Sequence, residues 1–408
     1  MSDIVIVEAV RSPVGRRGGE LSNIHPSDLL SEVQTALIER SGVDPATIGQ
    51  VVGGCVSQAG EQTANIARTA WLGAGMPLQV AATTVDAQCG SSQQAISLAY
   101  GLVASGVVDS AVGCGVESMT RNPMGSSYKK GQLTATPRYK DHYEYTTQFQ
   151  GAELLAKKWN ITREECDEFG LRSQENASRA WEEDRFATQI VEVDVPVLDE
   201  DGTATGERHR VTRDGGLRPT TLEGLSQLSP VLEDGVHTAG ASSQISDGSG
   251  AVLLMTADKA QEQGLQPIGR VIDTCLVGSD PVLMLTGPIE ASHHLLERNK
   301  MTMGDIDVVE INEAFASVVL AWAREMSPDM DTVTPNGGAI ALGHPLGGTG
   351  SILMTKAVHE LHRADKEFGL VTMCCGGGLG TGTIIQRLYT NRHLAARMCE
   401  RSRLVRLG

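Results

Sequence analysis

The sequence has few aromatic residues, a shortage of basic charge and no long apolar run. Aromatic side chains make up 4% of the 408 residues, and 34 lysines and arginines stand against 50 acidic residues, a net charge of −16. An acidic chain of this kind is ill suited to bind nucleic acid or an anionic membrane surface, although a local basic site for an anionic ligand is compatible with it. No apolar run approaches the roughly 18 to 20 residues that span a bilayer, so we predict no membrane span.

The cysteines also lack a recognisable framework. Eight are present, with no Cys-x-x-Cys pair and no disulfide spacing: Cys55, Cys89, Cys114, Cys166, Cys275, Cys374, Cys375 and Cys399. This pattern argues against a secreted disulfide scaffold and against a structural zinc site, and we predict no metal. Unpaired thiols suit a reducing cytosol, and the first residues are typical of a strand, not of a basic signal peptide. We therefore predict a cytoplasmic protein.

Glycine, by contrast, is abundant, with 46 residues, and the chain is too long for one hydrophobic core. Short apolar runs alternate with segments of helical periodicity, which is typical of layered α/β folds. We predict strands over residues 3–10, 51–56, 80–85, 111–116, 246–255, 268–277, 306–311 and 369–373. The first helix is expected to be capped by Ser27 or Asp28. The order of parts is similar in the two halves, which favours an internal duplication.

The composition changes between residues 120 and 239, where polar residues, turn signals and a cluster of tyrosine and phenylalanine dominate. We predict an inserted loop domain there, with helices over 149–158 and 162–182 and an extended segment over 190–198. Residues 1–119, completed by 240–265, form the predicted N-terminal half, and 266–390 form the C-terminal half. The tail, 391–408, carries five arginines against one acidic residue, so it is either a solvated terminus or a contact for a partner or a phosphate. The aromatic cluster could line a pocket or form an oligomer contact.

Cys89 lies where a predicted strand passes into a helix. A thiol at the beginning of a helix faces unpaired N–H groups and the positive end of the helix dipole, which is expected to lower its pKa and favour the thiolate. The alternative is that Cys89 is a buried apolar residue, as most free cysteines are. Three later stretches favour the nucleophile.

His344 is surrounded by glycines in residues 336–350 and precedes a proline at another predicted helix entrance. It could take a proton from a thiol, or it could be a turn histidine without a role. Asn312, in the run 310–316, offers an amide that could hold a water or a carbonyl oxygen, or it could only cap a helix.

Cys374 and Cys375 end a predicted buried strand and precede three glycines. A cysteine at this point supplies an acid–base thiol, and the free N–H groups of the glycines supply donors for an oxyanion. The pattern leaves open which of the two cysteines points inward. Adjacent cysteines without spaced partners are unsuited to a tetrahedral metal site.

Taken together, these stretches resemble the thiolase family. The Asp-x-x-Cys-x-Ser of Cys89, the Asn-Glu-Ala-Phe at 312–315, the Gly-Gly-Ala-Ile-Ala-Leu-Gly-His-Pro around His344 and the Cys-x-Gly-Gly-Gly at 374–378 stand in the order and spacing of that family, and the resemblance covers roughly residues 3–388. It implies an α/β fold with two similar halves in five layers, αβαβα, and an inserted loop domain. It also implies a homodimer or homotetramer.

The resemblance implies a role for each residue of the site. Cys89 would attack the 3-keto carbon of a 3-ketoacyl-CoA and keep the shortened acyl group as a thioester. Cys374 would protonate the departing acetyl-CoA enolate, and His344 would activate Cys89. Asn312 would hold the water that forms one oxyanion site with His344, and the N–H groups of Cys89 and Gly376 would form the other. Coenzyme A would be a co-substrate, with no permanently bound cofactor.

Further positions follow from the same resemblance. Arg218 matches a contact to the nucleotide end of CoA, and Ser243 matches a contact to the pantetheine. Three residues are expected in the acyl pocket: Met284, Phe315 and Phe149.

The family's short-chain members often carry a His-Met-Gly stretch where this chain has residues 147–151 without histidine. The chain looks most like the actinobacterial thiolases that shorten steroid side chains, so the favoured reaction is thiolysis of a bulky 3-ketoacyl-CoA to acetyl-CoA or propionyl-CoA. One alternative is a short-chain acetyl-CoA C-acetyltransferase. A decarboxylating ketosynthase fits less well, because it needs a second catalytic histidine where this chain has Cys374. A non-catalytic acyl-CoA carrier would have lost a reactive residue, and none is missing.

Overall fold

A computed structural model of the chain describes residues 3–128 and 135–388, which form twelve strands and eleven α-helices. The strands are β1 (Ile4–Arg11), β2 (Gly15–Arg16), β3 (Gln50–Gly54), β4 (Ala81–Val85), β5 (Ser110–Ser118), β6 (Val193–Leu198), β7 (Ala204–Val211), β8 (Ser246–Thr256), β9 (Gly269–Gly278), β10 (Val308–Ile311), β11 (Phe368–Cys375) and β12 (Leu379–Arg387). The helices are α1 (Pro26–Ser41), α2 (Ile66–Gly73), α3 (Ser91–Ala104), α4 (Pro137–Lys140), α5 (Gln148–Lys158), α6 (Arg163–Glu182), α7 (Leu222–Ser226), α8 (Ala257–Glu262), α9 (Gly287–Asn299), α10 (Ala316–Met326) and α11 (Thr349–Arg363). The predicted basic tail, 391–408, lies outside the described residues.

Ten of the strands form one large mixed sheet that consists of two similar half-sheets. The first has the order β1-β8-β5-β3-β4 and the second the order β9-β12-β11-β10. In each, the first two pairings are antiparallel (β1–β8 and β8–β5; β9–β12 and β12–β11), and the next pairing is parallel (β5–β3; β11–β10). Val333 makes a parallel bridge to Val309 of β10, at the position that β4 occupies beside β3. The shared strand order agrees with the predicted duplication.

The half-sheets meet at a short antiparallel pairing of β1 with β9, where Val5 lies opposite Arg270 and Ile6 opposite Gly269. Helices α3 and α11 contact strands of both half-sheets, while α1 and α2 pack on the first and α9 on the second. This is the layering that the predicted αβαβα arrangement requires. Helix α3 follows β4, and α11 follows the segment of Val333, which takes the place of β4 in the second half. The segments that lead into these two helices are therefore equivalent in the duplication.

The two central helices approach closely through small residues. A side chain on Gly350 of α11 would collide with the backbone N–H of Gln93 in α3. Gln93 reaches across to the second half-sheet, where its Nε2 donates to Val371 O at 2.9 Å and its Oε1 accepts from Thr381 Oγ1 at 2.6 Å. A buried amide with both ends bonded fixes the register between the halves.

Most predicted elements are present, with differences at their ends. The two helices of the 120–239 region begin with capping boxes, Thr147 with Gln150 and Thr162 with Glu165. The predicted cap of the first helix is wrong, because Pro26 sets the first turn and His25 Nδ1 accepts from the N–H two residues on.

Three strands are not among the predicted ones: the two-residue β2, β7 and β12. The extended segment after residue 190 becomes β6 by pairing with β7, which is exposed along most of its length. β12 pairs with β11 through the turn 376–378, in a stretch whose glycines and threonines resemble a loop.

Across residues 3–128 and 135–388, none of the helices is both long and apolar enough to span a membrane.

Candidate active site

The residues singled out by sequence meet at one edge of the sheets. Cys89 follows β4, Asn312 follows β10 and Cys374 lies at the end of β11, all at carboxyl ends of parallel strands. His344 lies on the segment that leads into α11, as Cys89 leads into α3. Carboxyl ends of parallel strands are the usual place for a ligand in α/β proteins, so the duplication brings two equivalent loops to one site.

The turn before Cys89 is held in a rare conformation. Gln88 has a φ of 53°, in the left-handed region that residues other than glycine seldom occupy. Its N–H donates to Asp86 Oδ1 at 2.7 Å, and its carbonyl accepts from Ser91 Oγ at 2.6 Å. Such local strain persists where surrounding bonds enforce it, and it is common at reactive residues.

Gly90, directly after Cys89, has no room for a side chain, because residues of the second half of the molecule pack against it. A Cβ at this position would stand 2.6 Å from Cys375 Sγ and 2.7 Å from Thr381 Cγ2. The absence of a side chain therefore lets the hairpin β11–β12 close over the beginning of α3.

The thiol of Cys89 does not have the lowered pKa that its helix position predicts. Burial raises the pKa to about 11, and the backbone N–H groups of Gly376 and of Cys89 itself, which hydrogen-bond to the sulfur, lower it less than burial raises it. The carboxylates of Glu117 and Asp86 raise it further. The predicted lowering of the pKa is wrong, because desolvation outweighs the helix dipole, and Cys89 needs a base to become nucleophilic.

This pKa predicts the reactivity of the free protein. The rate of alkylation of Cys89 by iodoacetamide should rise about tenfold per pH unit from roughly pH 7 to pH 10, because the thiolate fraction grows until the pH reaches the pKa. Peptide mapping of the adduct isolates Cys89 from the other cysteines, and Cys89→Ala serves as the blank. A rate that levels off near pH 8 would contradict the raised pKa.

His344 has the orientation of a base. Its Nδ1 lies 2.6 Å from Thr349 Oγ1, and that hydroxyl donates its only proton to Pro345 O at 2.9 Å. Nδ1 therefore carries the ring proton and donates it to Thr349. Nε2 is left as an acceptor, with Asn312 Nδ2 donating to it at 3.3 Å. Burial lowers the pKa of His344 to about 4, so the imidazole is neutral near pH 7.

The loop that carries His344 is anchored from the first half by a carboxylate that sequence analysis missed. Glu117 of β5 is fully buried and accepts from the N–H groups of Gly347, Val56 and Ser57, at 2.9, 2.9 and 3.0 Å. Burial raises its pKa, against these hydrogen bonds. The position gives no sequence signal, because a glutamate within a buried strand has no motif of its own.

Cys374 and Cys375 point to opposite faces of β11, as successive residues of a strand must. Cys375 packs against Gly90 and the apolar side of α3. Cys374 is 1% exposed and belongs to the cluster that contains Phe315 and Met284. Burial raises its pKa well above the usual value, and the charge of a Cys89 thiolate would raise it further. Of the two cysteines, Cys374 is therefore the one on the side of the predicted acyl-pocket residues.

The three predicted acyl-pocket residues lie in that same apolar cluster. The rings of Phe149 and Phe315 meet edge to face, with centroids 5.5 Å apart. Met284 has a φ of 60° and lies against α5, since a Cβ on Gly151 would stand 3.3 Å from Met284 Cβ. These three residues, Phe149, Phe315 and Met284, make up the wall of the predicted acyl pocket, to which both α5 and the second half contribute.

The two residues predicted to contact CoA lie further out. Arg218 is exposed and its guanidinium donates to Ala239 O at 3.1 Å. Ser243 is half-buried, and its N–H donates to Ala314 O at 2.9 Å, which joins it to the segment of Asn312 and Phe315. Among the described residues, no group of three or more histidine, cysteine or acidic side chains could hold a metal ion.

Two family models match the chain: the thiolase N-terminal domain over residues 4–258 and the thiolase C-terminal domain over residues 265–387. The chain belongs to the thiolase family. Among the curated relatives of this thiolase, a steroid 3-ketoacyl-CoA thiolase of Mycobacterium tuberculosis, FadA6, is 44% identical over 399 residues, which is 95% of each chain. A 3-ketoacyl-CoA thiolase of Idiomarina loihiensis is 41% identical over 95% of this chain and 100% of its own.

A solved structure agrees with these matches. The crystal structure of the Bacillus anthracis acetyl-CoA acetyltransferase has a TM-score of 0.86 and 36% identity to this thiolase, and the match covers 95% of this chain and 99% of that chain. The predicted α/β, thiolase-like architecture and the resemblance to steroid thiolases are confirmed. The protein is an acyltransferase, as its family is.

Proposed function

We propose that this thiolase cleaves 3-ketoacyl-CoA with free CoA, through an acyl-enzyme on Cys89. The observation that carries the proposal is the set of three groups at one sheet edge: a protonated thiol at Cys89, an imidazole at His344 whose Nε2 carries no proton, and a second thiol at Cys374. Removing any one of them would leave a proton in the reaction without a donor or an acceptor.

In the first half-reaction, His344 Nε2 takes the Cys89 proton as the sulfur attacks C3 of the substrate. The C2–C3 bond breaks and its electron pair stays on C2, as the enolate of acetyl-CoA. Cys374 gives its proton to C2, which releases acetyl-CoA, and the shortened acyl group remains as a thioester on Cys89. The raised pKa of Cys374 suits this step, because a thiol that stays protonated is available as an acid.

In the second half-reaction, the Cys374 thiolate takes the proton of an incoming CoA thiol. The CoA sulfur attacks the thioester carbonyl, and Cys89 leaves as a thiolate that recovers its proton from His344. Protons and electron pairs balance over the two halves, so coenzyme A enters as a co-substrate and no permanently bound cofactor is needed.

Two oxyanion sites fit these steps. The N–H groups of Cys89 and Gly376, which hydrogen-bond to the thiol in the free protein, would stabilise the oxyanion formed at C3. Asn312 Oδ1 is buried and has no hydrogen-bond partner among the described residues, so it offers an acceptor for the water that would complete a second site with His344. Arg218 and Ser243 would hold the nucleotide and pantetheine of CoA.

For the acyl group we propose a bulky chain, such as a steroid side chain. The support is the likeness to a relative named for steroid 3-ketoacyl-CoA, together with a pocket wall in which residues 147–151 contain Phe149 and no histidine. Acetyl-CoA C-acetyltransferase activity is the second candidate, because the Bacillus anthracis structure carries that name. A carrier without catalysis remains the alternative of another class.

The substrate proposal is tested by following acetyl-CoA release with free CoA, from acetoacetyl-CoA and from a CoA thioester of a 3-keto steroid side chain. We expect a kcat/KM at least about tenfold higher on the bulky thioester, the discrimination that a few extra buried methylenes supply. A preference for acetoacetyl-CoA would replace the steroid proposal by the short-chain one. Tight binding of both without release of acetyl-CoA would support the carrier.

A homodimer or homotetramer belongs to the same proposal. β4 is the edge of the first half-sheet, and alternate residues along it are exposed. An exposed edge strand invites pairing with another chain, and this strand leads directly to Cys89. Light scattering that gives the mass of one chain would contradict the assembly.

The cytoplasmic location stays a prediction.

A further inference from the structure

A group of three polar side chains lies beside the wall of the predicted acyl pocket: His237 and Ser317, which are buried, and Glu153, which is partly exposed. His237 is 1% exposed, its Nδ1 lies 2.8 Å from Glu153 Oε1, and its Nε2 lies 2.8 Å from Ser317 Oγ. None of the three touches the catalytic cysteines in any hydrogen bond of the described residues. A buried imidazole bonded at both nitrogens has one orientation available to it, so the ring of His237 is fixed.

Glu153 is fixed as well. Its Oε2 accepts from the N–H of Val236 at 3.0 Å, and its Oε1 accepts from the N–H of His237 at 3.2 Å. Burial acts to raise the pKa of Glu153, but the hydrogen bonds from His237 and Val236 outweigh it and the pKa is lowered. An ionised carboxylate accepts only, so Nδ1 of His237 donates to it. A Cβ on Gly235 would stand 2.6 Å from Glu153 Oε1, which shows how tightly the loop closes on the carboxylate.

The ring of His237 meets the pocket wall directly. Its centroid lies 5.4 Å from that of Phe315, with the ring planes at 77°. Phe315 in turn meets Phe149 edge to face. The three rings therefore form one row, with His237 at one end. Hydrogen bonds hold the ring of His237 in place, whereas Phe315 and Phe149 are held by packing. Edge-to-face pairs of this kind have preferred geometry, so a fixed first ring restricts the second.

The same group joins two helices that carry the wall. Phe149 and Glu153 are four residues apart on α5, on one face of that helix. Ser317 lies in the first turn of α10, two residues after Phe315. His237, from the segment between α7 and β8, bonds to both helices and so sets the distance between α5 and α10 at the point where Phe149 and Phe315 face each other.

We propose that His237 is a positioning residue for acyl-chain specificity: held by Glu153 and Ser317, its ring sets the position of Phe315, and through it that of Phe149, against the acyl group. The inference rests on the proposed function. His237 has no role in proton transfer in this proposal, because its two ring nitrogens bond to Glu153 and Ser317 and not to Cys89, His344 or Cys374.

The experiment compares kcat and KM for acetoacetyl-CoA and for the steroid side-chain thioester in His237→Ala, His237→Asn and the wild type. His237→Asn retains an amide that can donate to Glu153 but removes the ring. In both variants Phe315 is free to turn into the vacated space, so we expect the selectivity for the bulky substrate, as a ratio of kcat/KM values, to fall about tenfold. The fall should come from a higher KM for the bulky thioester, with kcat on acetoacetyl-CoA changed less than about twofold.

His359→Ala is the matched control. His359 of α11 is also bonded at both ring nitrogens, to Thr188 Oγ1 and to Ala9 O, each at 2.9 Å, and it lies outside the pocket wall. Its loss should lower the melting temperature without changing the selectivity ratio. Ser317→Ala, which keeps the ring and loosens it, should give a smaller fall in the ratio than His237→Ala.

Each outcome decides a separate point. A selectivity ratio that is unchanged in His237→Asn and Ser317→Ala overturns the inference, even if His237→Ala fails to fold. An equal loss of kcat on both substrates would assign His237 a general structural role and overturn it too. A wild-type protein that turns over neither substrate removes the proposed function and this inference with it.

Discussion

Replacement of Cys89 by alanine is expected to lower kcat for thiolysis by a factor of about 10⁴ or more, because the covalent intermediate can no longer form and removal of a nucleophile has costs of this order in other enzymes. The substitution should lower kcat without lowering the stability of the fold. Cys89 is half-buried in a turn held by Asp86, Gln88 and Ser91, and none of these bonds uses the Cys89 sulfur. The measurement is acetyl-CoA release at saturating substrate and CoA, together with the melting temperature.

Cys114→Ala is the control for that variant. Cys114 is fully buried in β5 and touches none of the reacting groups. It should retain kcat even though the cavity left by its sulfur lowers stability. A Cys89→Ala protein that keeps more than about a tenth of the wild-type rate, or that still forms a covalent acyl adduct, would show that the nucleophile is another residue.

Replacement of Cys374 by alanine should separate the two halves of the reaction. Without the thiol, C2 of the departing enolate has no acid, and acetyl-CoA has no base in the condensing direction, so carbon–carbon cleavage and formation should fall by about 10³ or more. Transfer of an acyl group to Cys89 from a simple acyl-CoA breaks no carbon–carbon bond, and its leaving group is a CoA thiolate that can depart without an acid, so this transfer should fall far less. Loss of deuterium from the methyl group of labelled acetyl-CoA reports the missing acid–base step directly.

Cys375→Ser provides the comparison on the same strand. Cys375 faces Gly90 and α3, on the opposite side of β11 from the pocket. Its replacement should leave deuterium exchange within about a factor of ten of the wild-type rate. If Cys375→Ser lost deuterium exchange and Cys374→Ala retained it, Cys375 and not Cys374 would be the acid and base at C2.

The sequence was informative where function depends on local pattern. Cys89, Asn312 and Cys374 each stand at the end of an apolar run that precedes glycines or a helix, and the structure brings all three to one edge with His344. Strand–turn–helix units place such residues at carboxyl ends of strands whatever the rest of the chain does. The repeat of that order in both halves also indicated the duplicated architecture.

Long-range effects were not accessible in the same way. Burial sets the pKa of Cys89, and the hairpin β11–β12 that packs against Gly90 is far away in sequence, so the position of Cys89 at a helix end alone predicts the opposite direction. The choice between Cys374 and Cys375 needed the register of β11. His237 had no signal at all, because its partners Glu153 and Ser317 are 84 and 80 residues away. Contacts between distant segments carry no local pattern.

The central claim is that Cys89 holds the acyl group between the two halves of the reaction. It is tested most directly by mixing the protein with a 3-ketoacyl-CoA in the absence of free CoA and measuring the intact mass. We expect release of one acetyl-CoA per active chain and a mass gain equal to the shortened acyl group, located by peptide mapping on Cys89. Acetyl-CoA release without any mass gain, or an adduct on a different cysteine, would contradict it.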